Sequence, residues 1–142
     1  MTSSPSSWND QVIEAFRAND GYVERFGRNL VLIHHLGART GTERIAPARA
    51  VREDGDAWLV AASKGGAPDN PGWYHNLLAN PDVRIETPDD GIVPVRAEAL
   101  QGAERDAAWE RFKEEAPGFR DYEQKTSRTI PVVRLRRRAE QG

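Results

Sequence analysis

Apolar positions along this chain recur at two spacings, and the switches between them mark out its elements. Val12, Ile13 and Phe16 share one face of a helix predicted over residues 8–19, with Ser7 placed to cap its N-terminus. Strand-like runs follow at 29–35, built on Leu30-Val31-Leu32-Ile33, and at 44–51, where Pro47 marks an edge or a bulge. Between them Gly37-Ala38-Arg39-Thr40-Gly41 reads as a turn with two positions for positive φ. Asp54-Gly55 signals a hairpin into a strand at 57–62, and Pro88-Asp89-Asp90-Gly91 signals another between strands at 83–87 and 92–100. Helices are predicted at 73–79 and 102–116, the second turning Ala108, Trp109 and Phe112 inward. A short helix carrying Tyr122 and a strand at 130–135 complete the pattern. Six antiparallel strands with peripheral helices predict a mainly β fold, a small closed or split barrel.

Composition narrows the class. The 142 residues suffice for one domain with a real core, and 38% hydrophobic with 30% charged residues describes a soluble globular protein. The predicted organisation is a disordered tail at 1–7, a single domain at 8–136 and a tail at 137–142. No apolar run approaches the roughly 20 residues of a membrane span, and the first residues carry no signal-peptide pattern, so the expected compartment is the cytoplasm. With no cysteine, disulfides, thiolate nucleophiles and cysteine metal sites are excluded. A net charge of −2 argues against nucleic acid as partner. Arg134, Arg136, Arg137 and Arg138 form a local basic cluster, read as a strand end and a solvated tail; peripheral membrane contact stays open.

The candidate chemistry is mostly that of binding. His34 and His35 are adjacent on a strand and point to opposite faces, so they cannot grip one metal together, and His75 adds nothing to either; no metal site is expected. Ser63 lacks the strand–elbow–helix context of a G-x-S-x-G nucleophile and reads as a hydrogen-bonding residue. Arg39, Thr40, Gly41 and Arg44 put two guanidinium groups, a hydroxyl and exposed N–H groups around one tight turn, which suits phosphate as well as it suits a charged hairpin tip. Neither a Walker A loop nor a G-x-G-x-x-G fingerprint is present. The run Ala61-Ala62-Ser63-Lys64-Gly65-Gly66 ends a strand in residues that permit close backbone approach, with Lys64 beside them. Trp58 and Trp109 read as core, as does Trp8. Trp73, Phe119 and Tyr122 are open to either packing or a pocket wall.

These blocks, with Asn70-Pro71-Gly72-Trp73-Tyr74-His75-Asn76-Leu77, Ala79-Asn80-Pro81, Asp121-Tyr122 and Thr129-Ile130-Pro131-Val132-Val133, occur in an order that resembles the deazaflavin-dependent nitroreductase family. The resemblance spans residues 27–134. It implies a split β-barrel like those that hold FMN, the 8-hydroxy-5-deazaflavin coenzyme F-420, and hydride transfer to a small-molecule acceptor such as a quinone, enone or nitroaromatic. By the same resemblance Ala38, Arg39, Thr40 and Arg44 would hold the phosphate, and Ile45, Ala46, Pro47, Ala61 and Ala62 would line the ring. Ser63 and Lys64 would lie near ring and phosphate, while Gly72, Trp73, Tyr74, His75 and Asn76 wall the groove, with Phe119 also on the cofactor. Arg49, Phe119 and Tyr122 would form the acceptor pocket, and Tyr122 or Ser63 would supply a proton. Arg49, Ala116 and Phe119 stand where nitroreducing members carry tyrosines, which suits a different, anionic acceptor. A non-catalytic deazaflavin carrier and an FMN-dependent oxidoreductase are the alternative expectations, and a monomer or weak dimer is the expected state.

Overall fold

Six strands close on themselves in the order β1-β2-β3-β6-β5-β4, each antiparallel to its neighbours, with β4 returning to β1. This computed structural model describes residues 8–24, 27–53, 56–62, 72–126 and 129–138. The strands are β1 (Leu30–Leu36), β2 (Glu43–Arg52), β3 (Ala57–Ala61), β4 (Asp82–Thr87), β5 (Gly91–Ala99) and β6 (Val132–Arg137). The helices are α1 (Trp8–Ala18), α2 (Gly72–Ala79), α3 (Gly102–Glu115) and α4 (Gly118–Lys125). The expected barrel is therefore present, and it is closed. Ser7 and the Asp54-Gly55 pair lie outside the described residues.

Alternation explains the layers. Val31 and Ile33 of β1, Ala48 and Ala50 of β2, Val83 and Ile85 of β4 and Val93 and Val95 of β5 fill the barrel, with Leu77 of α2 packed among them. The opposite faces are covered by helices. Val12 and Phe16 of α1 pack on Leu30 and Leu32. Ala108, Trp109 and Phe112 of α3, with Phe119 of α4, pack on Leu59, Ala61 and Val132. Leu32, Ile33, Leu59 and Val60 are wholly buried, each contributing roughly 2 kcal/mol by removal from water.

Pro47 sits where a proline does least harm. It pairs with Leu32 of β1, but β2 meets β3 only over Ala50 to Arg52. The N–H of Ala50 donates toward β1, to the Asn29 carbonyl, and backbone groups alternate sides along a strand. The donor that Pro47 lacks would therefore point to the side where β3 does not pair, and no ladder bond is lost. The edge reading holds, without a bulge.

Two expectations are corrected. The 37–41 turn has one positive φ, +68° at Gly41; Gly37 is needed for space, because a Cβ there would lie 2.6 Å from Thr40 Oγ1. The arginine cluster is a strand end, as expected, with Arg136 and Arg137 exposed, but it is not simply solvated. Arg134 is buried and bonds Glu53, Glu98 and Glu104, Arg137 is the last residue of β6 and reaches Asp90, and Arg138 donates to the Val95 and Val83 carbonyls. Nearby carboxylates and strand carbonyls draw these guanidinium groups back onto the barrel.

Candidate functional site

The turn joining β1 to β2 uses some of its polar groups and leaves others open. Gly37 N–H donates to Thr42, Gly41 N–H to Gly37, and Thr42 N–H to Thr40 Oγ1. The N–H groups of Arg39 and Thr40 have no acceptor among the described residues, and both residues are exposed. Neither Arg39 nor Arg44 has a carboxylate partner among the described residues. Arg17, Arg28, Arg52, Arg96, Arg134 and Arg137 all do. Two guanidinium groups and two N–H groups without partners among the described residues are the kind of groups that converge on an anion.

Helix α2 is bound to this turn. Asn76 accepts from the Ala38 N–H at 2.9 Å, its Nδ2 lies 2.9 Å from His35 Nδ1, and Asn80 reaches the Leu36 carbonyl at 3.5 Å. His35 is buried, and burial first, then the charges of Arg44 and His34, hold its pKa below the ordinary imidazole value. Trp73 and Tyr74 are half-buried against the barrel core, whereas Gly72 and His75 are exposed. His34 points to the other face, as alternation requires, and bonds Glu86 at 2.7 Å. Arg17 grips the same carboxylate, holding Glu86 below the usual carboxylate range.

Beyond the turn, β2 shows Ile45, Pro47 and Arg49 half-exposed on its outer face. Arg49 lies five positions beyond Arg44, about 16 Å of strand. Arg49 donates to the Glu115 carbonyl at 3.4 Å, at the end of α3. Tyr122 is half-buried against Phe119, ring centroids 5.2 Å apart. Ile45, Pro47 and Arg49 thus form one strip on the outer face of β2, whereas Arg44, like its register partner His35, belongs to the other side.

Other candidates are placed differently. Ala46 is buried on the barrel side of β2, opposite to Ile45 and Pro47. Ala61 lies at the edge of the strip but is 8% exposed, and Ala62 is fully buried with its N–H on the Pro131 carbonyl. Phe119 is 8% exposed, its ring set against Trp109, Phe112 and Tyr122. Ser63 and Lys64 lie outside the described residues. The pairing of His35 with Asn76 is invisible in the chain pattern, since the two are 41 positions apart and neither belongs to a motif for the other. A cavity of about 160 Å³ lies at the opposite end of β1, but its Arg28 and Arg52 are already paired with Asp89 and Asp90.

The fold is thus a closed six-stranded antiparallel barrel flanked by helices, with a cationic turn at one end. The chain belongs to the F420H(2)-dependent quinone reductase family, whose sequence profile matches residues 8–137. An F420H(2)-dependent quinone reductase of Mycobacterium tuberculosis is 45% identical over 111 residues, covering 76% of this chain and 73% of that protein. A solved F420-H2-dependent reductase is 38% identical, with a TM-score of 0.68 over 76% of this chain and 94% of the other. A second solved chain, described as a domain-swapped dimer, is 34% identical with a TM-score of 0.69, over 87% of this chain and 94% of its own. The deazaflavin-family resemblance read from the motifs is borne out.

Proposed function

We propose that the protein reduces a quinone with hydride drawn from reduced coenzyme F-420. The observation that carries this is the pair of guanidinium groups, Arg39 and Arg44, that have no carboxylate partner among the described residues and flank the turn leading into β2, in a chain of this family. The fit is chemical. Arg39, Arg44 and the open N–H groups of Arg39 and Thr40 suit a phosphate and the acidic tail beyond it. Pro47 offers apolar support for the ring, with Ile45 beside it packed in part on α1, and Trp73 stands on the α2 side against the barrel interior.

When bound, the reduced coenzyme supplies a hydride from its ring carbon C5; with one proton, the two electrons turn a quinone into a hydroquinone. The chain's own residues orient and select. Arg49 points its charge at the acceptor end, and Tyr122 offers a hydroxyl from which a proton can pass to the reduced oxygen, with Ser63 as the other proposed donor. Phe119 supports Tyr122 from behind. On this reading the protein works in the cytoplasm on a small-molecule acceptor, as a monomer or weak dimer. No helix among the described residues is long and apolar enough to cross a membrane.

Fluorescence titration with coenzyme F-420, with FMN as competitor, followed by turnover against a panel of quinones, tests the proposal. Tight deazaflavin binding with quinone turnover supports it. Binding without turnover would make the protein a carrier, and preference for FMN would make it a flavin enzyme. An Arg39→Glu/Arg44→Glu variant that binds normally would remove the phosphate assignment.

A further inference from the structure

One amide couples the anion-binding turn to a histidine, and its chemistry allows a single arrangement. The Ala38 N–H is a donor only, so the Asn76 atom 2.9 Å away is the oxygen. The amide nitrogen then faces His35 Nδ1 at 2.9 Å and donates to it. His35 must therefore offer a lone pair at Nδ1, which makes the imidazole neutral with its proton on Nε2. A protonated His35 would put N–H against NH₂. Turning the amide over would only move the conflict to Ala38, so no orientation of Asn76 serves both partners once the ring is charged.

The surroundings favour the neutral ring. On β2, Arg44 is the register partner of His35; on β1, His34 precedes it; from α2 comes Asn76 itself. No carboxylate bonds the ring among the described residues, whereas His34 has Glu86 and Glu43 within 3.3 Å. Burial and the Arg44 charge both act against protonation. Two adjacent histidines thus sit in opposite proton environments.

We propose that Asn76 and neutral His35 are positioning residues that lock the 38–41 turn in its anion-accepting form, and that protonating His35 releases the lock. This rests on the proposed function only in naming coenzyme F-420 as the anion. A depressed folded-state pKa means the lock is fully present above the ordinary imidazole value of 6.5 and is lost as pH falls below it. By linkage, a coenzyme held by the locked turn lowers the His35 pKa further.

Three measurements test this on the full chain. First, the Kd for coenzyme F-420 by fluorescence from about pH 8 to about pH 5 should rise up to about tenfold per pH unit below the His35 titration. Second, Asn76→Asp replaces the amide with a group that accepts from both Ala38 and an imidazolium, so its acid weakening should disappear although its overall affinity is lower. The coenzyme's own ionisations are common to both proteins and cancel in the comparison. Third, histidine NMR should show the His35 pKa raised by Asn76→Asp, and the protection of the Ala38 amide against hydrogen exchange, relative to its intrinsic rate at each pH, should fall in acid in the wild type alone. The last readout needs no coenzyme, so it stands even if F-420 fails to bind. Identical pH profiles for the two proteins, or an Ala38 amide indifferent to His35 protonation, would overturn the proposal.

Discussion

The indole N–H of Trp109 donates to Glu123 at 2.6 Å, and this bond ties α4 to α3 across the segment that carries Phe119 and Tyr122. Trp109 is 2% exposed and also meets the Phe119 ring edge-on at 5.9 Å. Trp109→Phe keeps the ring and removes the donor. Because phenyl is smaller than the buried indole, a cavity adds to the lost bond, and we expect a loss of about 2–3 kcal/mol and a fall in Tm of about 6–12 °C. Quinone turnover should drop while coenzyme Kd stays put, since only the acceptor wall is loosened. Calorimetry and fluorescence titration check the two parts separately.

Arg134 answers three carboxylates with its side chain 11% exposed, its bonds to Glu53, Glu98 and Glu104 running from 2.7 to 3.1 Å. Its hydrogen bonds to Glu53 are the first cause holding that carboxyl below the usual range. A depressed carboxylate pKa contributes stability above the ordinary carboxylate range that is lost as pH falls through the folded value. Arg134→Met should therefore cost about 3 kcal/mol at neutral pH and clearly less near pH 4. Urea unfolding at both pH values reads the difference; an equal cost at each would contradict the role given to Glu53.

Gly37 and Gly41 should fail differently. A methyl at Gly37 meets Thr40 Oγ1 at 2.6 Å and pushes aside the hydroxyl that receives the Thr42 N–H. Gly37→Ala is expected to weaken coenzyme binding about tenfold with the barrel intact. A methyl at Gly41 meets nothing within 4 Å, but its φ of +68° strains any side chain. Gly41→Ala should cost about 1 kcal/mol, visible as a lower Tm.

Among the described residues Arg49 hydrogen-bonds the Glu115 carbonyl alone, at a long 3.4 Å, and forms no ion pair, which leaves its charge available to the acceptor. Arg49→Met should spare coenzyme affinity and reduce kcat/KM for a carboxylate-bearing quinone by about tenfold relative to a neutral one. Equal losses for both quinones would show that Arg49 is a prop for α3 and nothing more.

Much of the architecture was legible because its determinants are local. The alternation of Val83 and Ile85, then Val93 and Val95, and the positive φ at Gly91 placed the β4–β5 hairpin directly. Arg39 and Arg44 were recognisable because a short turn gathers them without help from the rest of the fold. What escaped depends on distant partners. Nothing near Arg134 in the chain announces Glu53, 81 positions away, so a folded-back cluster looked like a tail. Ile45, Ala46 and Pro47 formed one apolar stretch in the sequence, but strand alternation sends Ala46 to the other side. Asn76 was marked by its motif, but its hold on His35 was not.

The place of β6 between β3 and β5 has a consequence for the order of folding. Until Val132–Arg137 has left the ribosome, β3 and β5 each lack a partner, although their other neighbours are already made. The hairpins β1–β2 and β4–β5 can pair during synthesis, whereas closure is postponed to the end. A nascent chain stalled before residue 132 is therefore the aggregation-prone species of this protein, and the arginines at the end of β6 both seal the barrel and keep that late strand from sticking to itself.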